Sequence, residues 1–513
     1  MKKIGIYISL VMGMVIASCE NDLDIANPDT PAFEVFWQNA TDAEQGVNAI
    51  YSTLHRGAIS RWQPMIQVSL SDEGQSRSPW TELANALDKF IIPNYNFEIL
   101  RDMWRDNYIG IFRANQVLAN VPGIEMDQAV RNRFLGEAYF LRGFFYYNLA
   151  SLWGRAPLML TPSTPTSTPA DLPPTATREQ VWAQVEADLT QAMALLPVEY
   201  AEDKDLGRAT QGAARALLAK ALMQQEKYTQ ALVPLAWLVT GPGAGIYSLM
   251  PDFRDNFLVT TENNQESVFE WQFAENLTER TDDDVATPQH NYGTSIAQFL
   301  APRGIGWSDM QANRWLINEF QDEETESGER DPRLEATFIY DSTDVRGPDF
   351  TIVYGRTFTE RYGADNDEVW FRKFLNDHWK NEEGYRSPNN YRFIRYADVL
   401  LMYAECLNQT GATTEAYPYV DRVRERVGLA PLSDVMPGLS QDAFLEQLKH
   451  ERLLELCGEG HRWTDLARWG DLGPQLANRD PAFTNFQVGK NEVLPIPQQD
   501  LDINPNMEQN PNW

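Results

Sequence analysis

The sequence predicts a mainly α-helical protein: stacked helix hairpins interrupted by loop-rich segments that carry short strands. Three observations lead there. Apolar residues recur at helical spacing through most of residues 41–240 and 393–470. Two of these stretches repeat one another as helix, short polar turn, helix. By contrast, residues 241–310 and 325–392 lose the period and fill with Gly, Pro, Asn and Asp, as loops do.

Residues 19–40 read as a tether with an extended segment. Thr41 to His55 puts Ala43, Val47, Ile50, Tyr51 and Leu54 at helical spacing, and Thr41 with Glu44 fits a capping box. Asp102 to Val121 forms a second amphipathic helix. Gln128 to Trp153 forms a third, crowded with Phe134, Tyr139, Phe140, Phe144, Phe145, Tyr146 and Tyr147. A helix apolar on most faces is buried among other helices, and Gly154 and Pro157 end it. Thr161 to Thr177, rich in Pro, Thr and Ser, is a loop. Arg178 to Leu196 is helical up to Pro197. In Ala214 to Val239, Ala219 and Ala231 lie twelve apart; Ala404 and Ala416 repeat that spacing in Tyr396 to Val427. Small residues so placed let two antiparallel helices approach closely, the tetratricopeptide logic. Residues 311–322 are assigned to the scaffold, with Trp315, Leu316, Ile317 and Phe320 facing the core. Ser267 to Trp271 is a short strand. Gln441 to Cys457 and His461 to Trp469 are the last helices, and 490–513 is an extended, Pro-rich tail. Residues 41–513 are expected to form one domain.

Composition narrows the function. The 513 residues carry a net charge of −30, which opposes nucleic acid and anionic membranes alike. The 15 Trp exceed what a core needs, and surplus Trp tends to face ligands. Of three Cys, Cys406 and Cys457 lie in apolar helical patterns and read as core residues, with no disulfide framework.

The N-terminus is an address. Lys2 and Lys3 precede an apolar run, Ile4 to Ala17, too short to span a membrane comfortably. It ends in Ile16-Ala17-Ser18-Cys19, which resembles a bacterial lipobox. That implies a signal peptide over 1–18 and lipidation at Cys19. The acidic residues Glu20, Asp22 and Asp24 resemble a surface-export signal of Bacteroidetes lipoproteins.

Catalytic patterns are weak. Glu459-Gly460-His461 could be an acid–base couple, but it reads better as a turn before a helix with Asp465 and Arg468 on one face. The five His show no metal spacing, and no P-loop, GxSxG or dinucleotide fingerprint occurs, so no cofactor is expected. Asp282-Asp283-Asp284 offers oxygens for a structural calcium but lacks EF-hand spacing and reads as a solvated charge run. Sugar binding needs an exposed indole or phenol for the C–H face of a pyranose and polar side chains for its hydroxyl rim. Two loops supply that mixture. One is Asp72 to Trp80, with Asp72, Arg77 and Trp80; the other runs from Gln289 through Asn291, Tyr292 and Arg303 to Trp307. Trp80 and Trp307 stand among Gly, Pro and Ser rather than at periodic positions. Trp62, Tyr95 and Trp271 are weaker candidates.

Several stretches together resemble the SusD/RagB family. They are Gly136 to Tyr146 closing in Trp153-Gly154-Arg155-Ala156-Pro157-Leu158, Ile394 to Glu405, Val423 to Leu429, Glu451-Arg452-Leu453-Leu454-Glu455-Leu456, and Glu459-Gly460-His461-Arg462-Trp463-Thr464-Asp465-Leu466-Ala467-Arg468-Trp469-Gly470. The tail motifs Leu494-Pro495-Ile496-Pro497 and Gln509-Asn510-Pro511 complete the set. One departure is Leu456-Cys457-Gly458, where the family often has Ala-Phe. The resemblance implies a right-handed superhelix of tetratricopeptide-like helix pairs, a glycan site drawn from the two loops above, and a SusC-like TonB-dependent transporter as partner. The expected function is therefore non-enzymatic capture of an oligo- or polysaccharide, a neutral one by the acidic balance, at the outer membrane. A lipid-anchored glycoside hydrolase and a peptide-uptake lipoprotein of the RagB kind are the alternatives.

Overall fold

The computed structural model describes residues 36–162, 167–275, 292–341, 352–363 and 366–513. Cys19 and its lipobox, the tether before residue 36, Asn291 and Asp282 to Asp284 lie outside the described residues.

Helices occupy the periodic stretches. They are α1 (Ala40–Tyr51), α2 (Gln63–Ser69), α3 (Glu98–Asn120), α4 (Gln128–Leu152), α5 (Arg178–Leu195), α6 (Gln211–Met223) and α7 (Tyr228–Val239). Within the first loop-rich segment lies α8 (Ile296–Leu300) and between the two lies α9 (Trp315–Glu319); after them come α10 (Tyr396–Gln409), α11 (Thr413–Arg426), α12 (Gln441–Leu456) and α13 (Arg462–Trp469). Neighbours in sequence pack as hairpins: α3 on α4, α4 on α5, α6 on α7, and α10 on α11, with α7 and α12 also against α10. Ala219, Ala231, Ala404 and Ala416 are all fully buried at these contacts, which lets the backbones close up. The aromatic face of α4 is core, with only Tyr139 partly buried. Cys406 and Cys457 are buried free thiols.

Two details differ from the pattern reading. The cap of α1 is Asn39, not Thr41: its Oδ1 accepts from the amides of Thr41 and Asp42, and Asp42 returns the bond to the Asn39 amide. Asn in extended geometry caps better than Thr one residue inside the helix. The stretch 311–322 opens as a strand and only then forms the short α9. There a ladder to a distant segment outweighs local helical period.

The strands form short antiparallel pairs, among them β1 (Gly74–Ser76) with β3 (Met310–Ala312), β2 (Ser267–Trp271) with β6 (Tyr391–Arg395), and β4 (Phe338–Tyr340) with β5 (Val369–Phe371). The C-terminal tail is fastened to the end of α4. The Leu494 amide donates to the Leu152 carbonyl at 2.7 Å, Trp153 Nε1 to the Pro495 carbonyl at 3.0 Å, and Asn510 Nδ2 to the Trp153 carbonyl at 2.7 Å.

Loop region and helices are joined by buried charge. Arg395, at the end of β6, donates to Glu266 (2.5 Å), Glu455 (2.9 Å) and Glu459 (2.7 Å), all fully buried. Arg426 also holds Glu455, and Lys373 holds Glu459. A second set links Lys220 of α6 and Arg452 of α12 to Asp398 of α10, and Arg452 and Arg468 to Asp465 of α13. Asp465 and Arg468 thus pair at i, i+3, within the interior. Removing one partner of a buried pair strands its counter-charges, which costs roughly 3–5 kcal/mol. Arg395→Met should lower the unfolding free energy by about that much, read as a fall in the urea midpoint.

Candidate glycan-binding surface

Pairing of β1 with β3 brings together the two loops singled out from sequence. Gly74 faces Ala312, Gln75 faces Gln311, Ser76 faces Met310, and the Arg77 amide extends the ladder to the Asp309 carbonyl at 2.8 Å. Trp80 and Trp307 therefore flank one sheet. Their rings belong to one continuous aromatic chain. Trp80 meets Trp62 edge-on at 5.6 Å, Trp62 meets Phe299 at 5.2 Å, Phe299 meets Trp307 at 4.9 Å, and Trp307 meets Tyr385 at 5.4 Å. The Arg61 guanidinium lies 4.3 Å and 4.6 Å from the ring centres of Trp62 and Phe299. Trp307 is 49 % exposed, while Trp80 is half-buried. The weaker candidates separate: Trp62 and Trp271 are core, and Tyr95 is half-buried against Trp513.

The backbone aims these rings. Trp62 ends a wide π-type turn, Ala58–Trp62, and a second, Glu82–Leu87, follows Trp80; such turns gather at functional sites. Ser308 sits at φ 57°, rare for a non-Gly residue. Its Oγ accepts from Trp370 Nε1 at 2.7 Å and from Gln311 Nε2 at 3.1 Å, which holds the strained residue in place and turns Trp307 outward. Gly306 allows the turn to press on α8: a Cβ there would lie 2.5 Å from the Gln298 carbonyl oxygen, which accepts from the Trp307 amide.

A polar row runs along the sheet. Arg77 Nε donates to Gln311 Oε1 (3.2 Å), Gln311 Nε2 to Glu368 Oε1 (2.9 Å), and Arg303 Nε to Glu368 Oε2 (2.8 Å). Arg77 and Arg303 are exposed, so donors and a carboxylate stand beside the rings. Tyr292 is exposed where its carbonyl accepts from the Ala274 amide. Gln311, Glu368 and Tyr385 were not singled out from sequence. They occupy irregular segments where nothing periodic marks them.

Asp72 is a correction. It is fully buried, with its oxygens on Arg462 Nε (2.7 Å), Arg462 Nη2 (2.9 Å) and Arg479 Nη1 (3.2 Å), so it carries the loop from below and cannot meet a ligand. Burial alone would raise its pKa, but Arg462 and then Arg479 hold it below the usual range. Glu459 and His461 are likewise sealed in: Lys373 and Arg395 hold Glu459, and His461 lies 3.3 Å from Lys220. Burial, reinforced by Lys220, pushes the His461 pKa down to about 4. Among the described residues no group of three His, Cys, Asp or Glu is placed to hold a metal, and no helix is long and apolar enough to cross a membrane.

Family models match nearly all of this architecture. The SusD family model covers residues 265–513, and a second, described as starch-binding associating with outer membrane, covers 34–223. The chain belongs to the SusD/RagB family. A SusD-like protein of Formosa agariphila is 27 % identical over 536 residues, spanning 98 % of this chain and 97 % of the relative. Among solved structures, a SusD superfamily protein of Bacteroides vulgatus superposes with a TM-score of 0.81 at 27 % identity, covering 93 % of this chain and all of that one. A laminarin-binding SusD-like protein superposes at 0.74 with 28 % identity, again over 93 % of this chain and all of that one. The segment Glu459 to Trp469, inside the stretch matched by the SusD family model, is thus the socket under the loop that carries Trp80: besides the Arg462–Asp72 pair, the Gly458 amide donates to Glu73.

Three carboxyls under this loop titrate late. Burial, only partly opposed by Arg462, pushes Glu73 up to about 8. Burial also pushes Asp88, which accepts from the Ser76 amide, and Glu82, which accepts from the Ile99 amide, each up to about 7. The unfolded chain releases these protons at the ordinary carboxylate values of 3.8–4.5 and the folded chain keeps them. Stability should therefore fall as pH rises from about 4.5 through 8, with a limit near 1.4 kcal/mol per pH unit for Glu73. Urea midpoints at pH 5 and pH 8 measure the slope, and Glu73→Gln should flatten it.

Proposed function

We propose that this SusD/RagB protein is a cell-surface glycan-binding lipoprotein. It captures an oligo- or polysaccharide without cutting it and passes it to a SusC-like TonB-dependent transporter in the outer membrane, where acyl chains on Cys19 hold it. The observation that carries the reading is an exposed indole, Trp307, joined through packed rings to Trp80 and bordered by hydrogen-bonding side chains. Rings fixed in this way lose little freedom when a sugar lies on them. The laminarin-binding relative supports the ligand class. A neutral glycan fits best, because the chain as a whole carries a net charge of −30 and opposes a polyanion. Of the residues weighed from sequence, Trp80, Trp307, Arg77 and Arg303 make up the surface.

Affinity electrophoresis in gels containing laminarin, starch, xylan or galactomannan tests the reading. At least one polymer should retard the wild type. Trp307→Ala should weaken that binding by roughly 30-fold, about 2 kcal/mol, and Trp80→Ala by less, because part of its ring is already covered. Release of new reducing ends from the retained polymer would refute non-enzymatic capture. For the anchor, Cys19→Ser should shift the protein from the detergent to the aqueous phase in a phase-partition assay.

A further inference from the structure

We propose that the binding surface continues beyond Trp307 onto Trp379, so that an extended oligosaccharide lies across at least three stacking positions: Trp80, Trp307 and Trp379. The inference rests on the glycan reading above and adds chain-length selection to it. Trp379 is 44 % exposed. Scattered surface indoles need no explanation, but this one is built in. Its amide donates to the Asn376 carbonyl at 3.0 Å and its Nε1 to Asn376 Oδ1 at 3.2 Å. Lys380 Nζ lies 4.3 Å from the ring centre over one face and also bonds Glu275. The ring is therefore fastened along one edge and backed on one face, leaving the other face to solvent.

The same loop is locked to Trp307. Glu383 accepts from the Asn376 amide (2.6 Å), Asn376 Nδ2 (2.7 Å) and Tyr354 OH (2.5 Å). Tyr354 is held at φ 48°, a second strained residue beside this surface. The Glu383 amide donates to the Ile305 carbonyl at 3.3 Å, and Tyr385 packs on Trp307. Trp379 is four residues from Glu383, and Ile305 is two from Trp307. The two tryptophan backbones thus lie no more than roughly 30 Å apart, within the reach of an oligosaccharide of several sugars. A polymer already seated at Trp307 gains further contact at Trp379 without a second loss of translational freedom.

The test uses the full chain and a sized ladder of oligosaccharides cut from the polymer retained in the gels above, titrated by calorimetry. Trp379→Ala should weaken the longest oligosaccharides about five- to ten-fold and leave the di- and trisaccharide unchanged, whereas Trp307→Ala weakens every length. Trp379→Tyr, which keeps a ring, should restore most of the loss and guards against a folding artefact. Unchanged binding of Trp379→Ala at every length, or equal weakening at every length, overturns the subsite while glycan capture stands. If none of the polymers retards the wild type, both readings fall together.

Discussion

An arginine buried among three glutamates is the constraint on which the molecule turns. Arg395 closes β6, opens α10 and reaches Glu266, Glu455 and Glu459 at once. Charges so deep are tolerated only with every partner in place, because the interior screens them poorly. The result is stiffness more than stability. Loop region, α10 and the α12–α13 turn must keep one mutual geometry or leave a charge alone in the core.

That stiffness reaches the surface through the turn itself. The residues just after Glu455 and Glu459 present the Gly458 amide to Glu73 and Arg462 to Asp72. The segment that carries Arg77 and Trp80 therefore stands on the same charged interior that fixes the helices. From the other side, Ser308 and Tyr354, both in left-handed backbone conformations, hold the turns that carry Trp307 and Tyr385. A weakly polar, ring-faced surface gains affinity chiefly by being ordered beforehand, and both supports act toward that end. The charges of the Glu459 to Trp469 segment are thus structural, which accounts for a sequence that looks acid–base competent while its carboxylate and imidazole are sealed in the interior.

The amino-acid sequence by itself determined what depends on neighbours along the chain. Helical period is a local property, so α3, α4, α6–α7 and α10–α11 are legible in it, as is the burial of Leu316, Ile317, Phe320 and most of the α4 aromatics, whereas Trp315 is only half-buried. The Gly- and Pro-rich settings of Trp80 and Trp307 marked them as non-core in the same way. Tertiary structure alone decided which of these parts meet. The β1–β3 ladder pairs residues more than two hundred positions apart, and it turned a helical-looking stretch at 311 into a strand. Asp72 looked like a solvent-facing loop carboxylate until Arg462, 390 residues away, neutralised it in the interior. Trp62 and Trp271, weaker candidates than Trp307 from sequence, are buried by packing. Glu368, Tyr385 and Trp379 carry no local mark, since their roles arise from rings and hydrogen bonds contributed by other segments. Local pattern reports the energy of short-range contacts; a binding surface assembled from distant loops is written in long-range ones.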